Sequence, residues 1–300
     1  MINKIIKLLK KHGPLTGKEL YDKILLDELS LWRICSKSDE ITLKTYGKRF
    51  LRLDMRVEGY GRLSPSIKRE FLTYTVMGLK KDSGKIDERA ESLYNKIKNI
   101  SRQKFELARE FIKKIVEYHS EPAIITGSAC FIIAGDIVYE MAHSEPRPEK
   151  STGTLVRGSD IDIVAVTENL PEGSIKGIDN MMYKEKYYLI KNPSYREEID
   201  YIVKDIQKVR TQLKFDNFKS MIASKILDEG KFLYGSRDIF KKIRGMLLES
   251  RIPEKLLAIE EKAIVNRENA RSYLLSSTDI LPEEECMKLF YTKQEKEEIF

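Results

Sequence analysis

Arg157-Gly158-Ser159-Asp160-Ile161-Asp162-Ile163-Val164-Ala165-Val166 is the stretch from which the architecture of this chain is read. Ile161 to Val166 is a β-branched, apolar run with the length of one buried strand. Asp160 and Asp162 stand two apart at its start. Side chains alternate across a strand, so both carboxylates share a face. Two such carboxylates repel unless a cation lies between them, so the pair points to a divalent metal. Further along, Glu198-Ile199-Asp200-Tyr201-Ile202-Val203 alternates cleanly and predicts another strand, with Asp200 an acid in an otherwise apolar alternation. If the two strands are neighbours, three carboxylates converge. Three can hold two metal ions about 3.5–4 Å apart, the arrangement that clamps an in-line phosphoryl displacement.

Upstream, Pro122 to Thr126 reads as a short buried strand ending at Gly127-Ser128, with a helix following through Ala129, Ile132 and Ile137 to about Met141. Backbone N–H groups and a hydroxyl are free at such a helix start. The dipole favours an anion there and glycine permits its close approach, so a triphosphate would rest at Gly127-Ser128. His143 to Thr152 is polar and proline-containing, a loop. Tyr187 to Ile190 reads as another short strand. From Lys204 the pattern is helical, punctuated by Gly230, Gly235 and Pro253. Singly, a D-x-D is often a turn, Gly-Ser an N-cap, and Asp200 a salt-bridged acid. Their order and setting are more specific.

The front of the chain differs in character. Ile2, Ile5, Ile6 and Leu9 recur at helical spacing up to Gly13-Pro14, and Thr16-Gly17-Lys18-Glu19 is a capping-box pattern opening a second helix. A third helix covers Leu29 to Cys35, with Trp32 read as core. Ile41 to Val57 looks extended, with a turn at Gly47. Helix, capped helix, helix and basic hairpin is the order of a winged helix-turn-helix. Between Lys44 and Arg69 eight basic residues meet only Asp54 and Glu58, which suits a polyanionic partner, RNA or DNA, as it also suits a solvated surface. Lys44, Lys48, Arg49 and Arg52 are the candidate nucleic-acid contacts. Lys80 to Lys85 reads as a linker, and residues 86–118 carry helical periodicity.

The chain has 300 residues, 41% hydrophobic and 34% charged, with net charge +7. That is the profile of a soluble, globular chain of about two domains. No apolar run is long enough to cross a bilayer, and the N-terminus lacks a signal peptide's apolar core, so the cytoplasm is expected and no membrane partner. Cys35, Cys130 and Cys286 make no metal or disulfide pattern, and His12, His119 and His143 are scattered. A metal must therefore be held by carboxylates, which favours Mg²⁺ or Mn²⁺.

Gly127-Ser128, Asp160-Ile161-Asp162 and Asp200 together resemble the signature of the polymerase-β-like nucleotidyltransferase superfamily. Gly153 to Asp162 is similar to the stretch before the acids in template-independent members. Leu227 to Ser236 is similar to the helix-end segment of small bacterial and archaeal members. The resemblance covers residues 119–240. The gap between Ser128 and Asp160 is longer than in many compact members. What it implies is a metal-dependent enzyme that moves a nucleoside monophosphate from an NTP to an acceptor hydroxyl. Asp160 and Asp162 would bind two ions. Asp200 would bind the catalytic ion and help deprotonate the acceptor. Ser128 would contact the β/γ-phosphates. Arg157 would stabilise phosphate charge, and Ser159, beside the acids, would join the nucleotide contacts. Lys219 and Lys225 would reach the triphosphate or form a solvated face; Tyr234 would stack on the base or pack.

The expected fold is α+β, in four parts. These are a winged-helix-like domain at 1–80, a helical linker at 81–118, a nucleotidyltransferase palm of small mixed sheet with flanking helices at 119–206, and a helical C-terminal region at 207–300. The last residues of the charged Glu283–Glu298 run are expected to fray. The acceptor is expected to be nucleic acid, such as an RNA 3′ end, or else a protein or small-molecule hydroxyl. The rival class is a DNA-binding regulator whose rear domain senses a nucleotide without turning it over.

Overall fold

A computed structural model describes residues 1–277 and 281–296. The fraying expected at the chain end concerns residues 297–298, outside the described residues. The fold is mixed α+β with small sheets. It divides into two compact units. One comprises residues 1–98 with 259–298, and the other residues 99–258.

The first unit opens with α1 (Ile2–His12), whose Ile5, Ile6 and Leu9 are buried at the spacing read in the sequence. Then come β1 (Leu15–Thr16), α2 (Gly17–Tyr21) and α3 (Glu28–Lys37). The capping box forms: the Glu19 amide donates to Thr16 Oγ1 at 3.2 Å, and the Thr16 amide donates to Glu19 Oε2 at 2.8 Å. Trp32 is core, 5.8 Å from the Phe290 ring.

Next are β2 (Ile41–Thr45), β3 (Phe50–Leu53), β4 (Gly61–Ser64), α4 (Ile67–Tyr74) and β5 (Thr75–Leu79). Here the structure corrects the sequence. Ile41 to Val57 is not one hairpin. β2 pairs antiparallel with β5, which also pairs with β1 in the order β1-β5-β2, whereas β3 pairs with β4 in a separate ribbon. Leu15 and Leu43 both oppose Met77, so β5 is the centre of its sheet. A local alternation cannot reveal that a strand's partner lies some thirty residues away.

The expected linker is also corrected. Lys80–Asp82 is a 3-10 turn leading directly into α5 (Ser83–Glu117), and the division between the units falls within that helix.

The second unit continues with α6 (Pro122–Ser128) and β6 (Ala129–Ala134). This reverses the expected strand-then-helix. Pro122 is well placed in a first helical turn, and the all-apolar Ala129–Ala134 is a fully buried strand. Then follow a 3-10 turn at Gly135–Ile137, the short pair β7 (Pro146–Pro148) and β8 (Leu155–Arg157), and β9 (Ile161–Thr167). The next element is α7 (Glu172–Lys191), which absorbs the strand expected at Tyr187–Ile190. β10 (Ile199–Asp205), α8 (Ile206–Gln212), α9 (Phe218–Glu229), β11 (Lys231–Gly235) and α10 (Arg237–Glu249) complete it. β11 is a strand within a region expected to be wholly helical.

The sheet order is β10-β9-β6-β11, with β9 parallel to β10 and antiparallel to β6. Phe131, Ile133, Ile161, Ile163, Ala165 and Ile199 pack one face against α5, α6 and α7. α8, α9 and α10 touch the other side. The chain closes with α11 (Ile252–Ser276), α12 (Glu283–Leu289) and α13 (Lys293–Lys296), whose residues from 259 onward belong to the first unit, not to a separate C-terminal region. There Leu274 and Phe290 join the core of Leu20, Leu31, Trp32 and Phe71. Among the described residues no helix is long and apolar enough to cross a membrane.

Candidate metal centre

β9 and β10 are adjacent and in register, with Asp200 opposite Asp162. Paired residues of neighbouring strands project to the same face. Asp160 precedes β9 by one residue. Asp160, Asp162 and Asp200 each offer a carboxylate oxygen, and these three atoms lie within 4.8 Å of one another. A buried strand and its half-exposed edge neighbour thus carry three acids to one end of one sheet face.

Withdrawal from water raises the Asp162 carboxyl well above its ordinary 3.8, and Asp160, Asp200, Asp136 and Glu229 push it further the same way. An acid pressed by this many neighbouring carboxylates is one beside which a cation is stabilised.

The surroundings supply cations on the other side. Lys186 of α7 donates to Asp200 Oδ1 at 2.7 Å. Arg147 of β7 is buried, with Nη1 2.7 Å from Glu198 Oε2, Nη2 3.7 Å from Asp160 Oδ2, and Nε donating to the Gly158 carbonyl at 2.7 Å. Lys104 pairs with Glu197 and donates to the Arg157 carbonyl at 2.8 Å. Burial lowers the Lys104 ammonium and raises the Glu197 and Glu198 carboxyls. None of these partners stands out in the sequence. Arg147 falls in an expected loop and Lys186 beside an expected strand, and no local pattern links either to an acid distant along the chain.

Gly127 and Ser128 are not part of this site. They end α6, where the exposed backbone groups are carbonyls and the dipole is negative. Ala129 opposes Thr167, while Ala134 opposes Asp162, so Ser128 lies at the far end of β6. Five steps of a strand span roughly 17 Å, too far for Ser128 to meet a phosphate at the acids.

The residue at the acid end is Gly135, which sequence reasoning missed. Its φ is +75°, and a Cβ there would collide with Asp162 Oδ2. Its amide donates to Glu229 Oε1 at 3.3 Å. The available signal was Gly135-Asp136 directly after the apolar run, a strand-end pattern hidden once that run is read as helix.

The other candidates separate by position. Ser159 is buried, its hydroxyl donating to Asp136 Oδ2 at 2.8 Å and accepting from the His143 amide at 3.2 Å, so it fastens the loop behind the acids instead of facing a nucleotide. Arg157 is exposed, its amide bonded to the Arg196 carbonyl at 2.7 Å. Lys225 pairs with Glu229, the acid that also meets Gly135, which brings it near the centre, with its Nζ 5.6 Å from the Tyr139 ring centroid. Lys219 is exposed six residues earlier, about 240° around the same helix, so the two do not share a face. Tyr234 opposes Phe131 and packs on the helix-covered core, the face away from Asp162. The structure therefore places it in packing, not base stacking.

In the first unit, Lys44 pairs with Asp87, and Arg49 grips Glu70 through Nε at 2.6 Å and Nη2 at 2.9 Å. Arg62 pairs with Asp54 at 3.0 Å, Lys68 with Glu28 at 2.9 Å, and Arg69 with Glu295 at 3.5 Å. Lys48 and Arg52 also have partners. Four of the eight cations, Lys44, Arg49, Lys68 and Arg69, are thus matched by acids outside the Lys44–Arg69 window.

No protein-family model matches the chain, and no curated protein matches it.

Proposed function

We propose that this chain is a metal-dependent nucleotidyltransferase that moves a nucleoside monophosphate from an NTP to an acceptor hydroxyl and releases pyrophosphate. The carrying observation is the convergence of Asp160, Asp162 and Asp200 from two adjacent strands. The donor set is all carboxylate, which suits Mg²⁺ or Mn²⁺. With one oxygen from each acid within 4.8 Å of the others, the three would be close enough to hold a cation together. When bound, two such ions supply charge neutralisation at the phosphates and activation of the attacking oxygen.

The chain's own residues do the rest. Asp160 and Asp162 would hold the ions, and Asp200, the most exposed of the three, would face the acceptor and take the hydroxyl proton. Lys186 holds Asp200 by a hydrogen bond to its Oδ1. Arg147 fixes the approach to Asp160. Gly135 takes the place the family resemblance gave to Gly127-Ser128, because only a residue without Cβ fits against Asp162. The second unit's sheet is read as a nucleotidyltransferase palm, and the first unit's three early helices with β1-β5-β2 as a winged-helix-like domain. The matched charges of that domain weaken the support for a nucleic-acid acceptor and, equally, for a DNA-binding regulator.

Incubating the full chain with labelled NTPs, Mg²⁺ or Mn²⁺, and in turn RNA, protein and small-molecule acceptors tests the proposal. Transfer is expected in at least one arm. It should be lost in Asp162→Asn, and lost with NTP binding retained in Asp200→Ala. Turnover by Asp162→Asn equal to the parent would refute the metal centre.

A further inference from the structure

The outer flank of α7 carries an aromatic and basic stripe that has no role in the chemistry above. Tyr183, Lys184, Tyr187 and Lys191 recur at three- and four-residue steps, so they share one face of the helix. Tyr183 is 56% exposed, and Lys184 and Lys191 are exposed. The Tyr183 and Tyr187 rings stand edge to face with centroids 4.8 Å apart, and Lys191 Nζ lies 5.8 Å from the Tyr187 centroid. Neither ring joins the core, which takes Ile178, Met182 and Leu189 from the same helix.

The stripe runs beside Asp200. Lys186, which donates to Asp200 Oδ1 at 2.7 Å, is three residues from Tyr183 and so its neighbour on the helix surface. The Tyr201 hydroxyl of β10 donates to the Asp179 carbonyl at 3.1 Å, one turn before Tyr183, which fastens α7 to the strand of Asp200. Beyond Lys191 the chain turns, and the Asn192 carbonyl accepts from the Arg196 amide at 3.0 Å. The Arg196 carbonyl in turn accepts from the Arg157 amide at 2.7 Å, so two arginines follow the stripe at the end of α7. Among the described residues, none of Lys184, Lys191, Arg157 and Arg196 makes an ion pair. The nearby acid Glu185 is already paired with Lys114 at 2.8 Å.

We infer that this face binds a single-stranded nucleic acid, its end bases stacked on Tyr183 and Tyr187 and its phosphates on Lys184, Lys191, Arg196 and Arg157, which brings a terminal hydroxyl to Asp200. Aromatic rings interleaved with unpaired cations are what a single strand needs: every base has a face to stack, and every linkage a charge to meet. A duplex keeps its base faces covered and gains nothing from the tyrosines. From Tyr183 to Lys191 the helix rises about 12 Å, the length of about three bases at the roughly 3.4 Å spacing of a stacked strand. That the hydroxyl is the acceptor rests on the proposed transfer; the binding does not.

The test is fluorescence anisotropy of the full chain with labelled single-stranded RNA and DNA, the matching duplexes and polyglutamate, in Mg²⁺ without NTP. At least one single strand should bind about tenfold or more tighter than its duplex or polyglutamate, a difference of about 1.4 kcal/mol. Tyr183→Ala and Tyr187→Ala should each weaken that binding about 5- to 150-fold, the range of one lost base stack. Tyr183→Phe and Tyr187→Phe should stay within about twofold of the parent, because stacking uses the ring and not the hydroxyl. Lys184→Gln with Lys191→Gln should flatten the fall of log K with log salt by about 1.4, at roughly 0.7 per single-strand phosphate. Asp162→Asn should bind like the parent. No single-strand binding, equal binding of duplex or polyglutamate, alanine variants that match the parent, phenylalanine variants that fail with them, or loss in Asp162→Asn would each overturn the inference. Transfer to a protein or small-molecule hydroxyl without strand binding would overturn it and leave the proposed reaction standing. Strand binding with no transfer to any acceptor would overturn the reaction and leave the binding face standing.

Discussion

Asp162→Asn should make the metal-free protein more stable while removing its response to divalent cations. Two unit charges 4.8 Å apart repel by about 3.5 kcal/mol at an effective dielectric near 20. Asp162 has Asp160 and Asp200 at or within that distance, so an ionised triad is under strain of that order per neighbour. The protein relieves part of it by taking up a proton, since the Asp162 carboxyl is raised by burial and by its acidic neighbours. The sign follows. Above pH 3.8 the unfolded chain has released that proton and the folded chain still holds it, so folding stability falls as pH rises towards the elevated value. The amide removes the charge, and with it this slope. A bound cation does the same by compensation, and saturation at about 100 times Kd adds roughly 2.7 kcal/mol. For a chain this size that raises Tm by about 4 °C. Scanning fluorimetry from about pH 5 to 9, with EDTA and with Mn²⁺, reads both effects. A parent protein with no Mn²⁺ shift, or a variant that keeps the full shift, would show that the three carboxylates do not form a metal centre.

Further outcomes follow from the same geometry. Gly135→Ala should cost about 1–3 kcal/mol, because it combines a positive φ with a collision at Asp162; it should abolish the Mn²⁺ shift, while Gly127→Ala and Ser128→Ala change neither that shift nor the KM for NTP. Arg147→Met should destabilise by about 3–5 kcal/mol in urea titrations, because it leaves Glu198 buried without its counter-charge. A loss under about 1 kcal/mol would mean Glu198 is neutral in the folded chain. Arg49→Gln should lose about 1.5–3 kcal/mol of stability, because its Nε and Nη2 both bond Glu70. The salt dependence of any DNA or RNA binding should change little, and a slope flattened by about one unit would instead make Arg49 a phosphate contact.

The acids were legible because a strand's period of two is strict. Asp160-Ile161-Asp162 and Asp200 fall on their faces from spacing alone, and the pairing of Asp200 with Asp162 then follows from strand adjacency. Capped and amphipathic helices were legible for the same local reason: Thr16-Gly17-Lys18-Glu19 satisfies its own backbone, and Ile5, Ile6 and Leu9 define one face.

Short apolar runs were not. Ala129–Ala134 carries no period that separates strand from buried helix, so Gly127-Ser128 reads as the turn that Gly135 makes. The long segment separating β2 from β5, and the return of residues 259–298 to the first unit, are matters of chain closure, which composition does not encode locally. Charge shows the contrast most sharply. How many cations stand between Lys44 and Arg69 is a property of the sequence alone. Whether they meet a partner or the chain's own counter-ions depends on Asp87, Glu70, Glu28 and Glu295, which only the tertiary structure brings to them, because Coulomb energy depends on distance in space and not on distance along the chain.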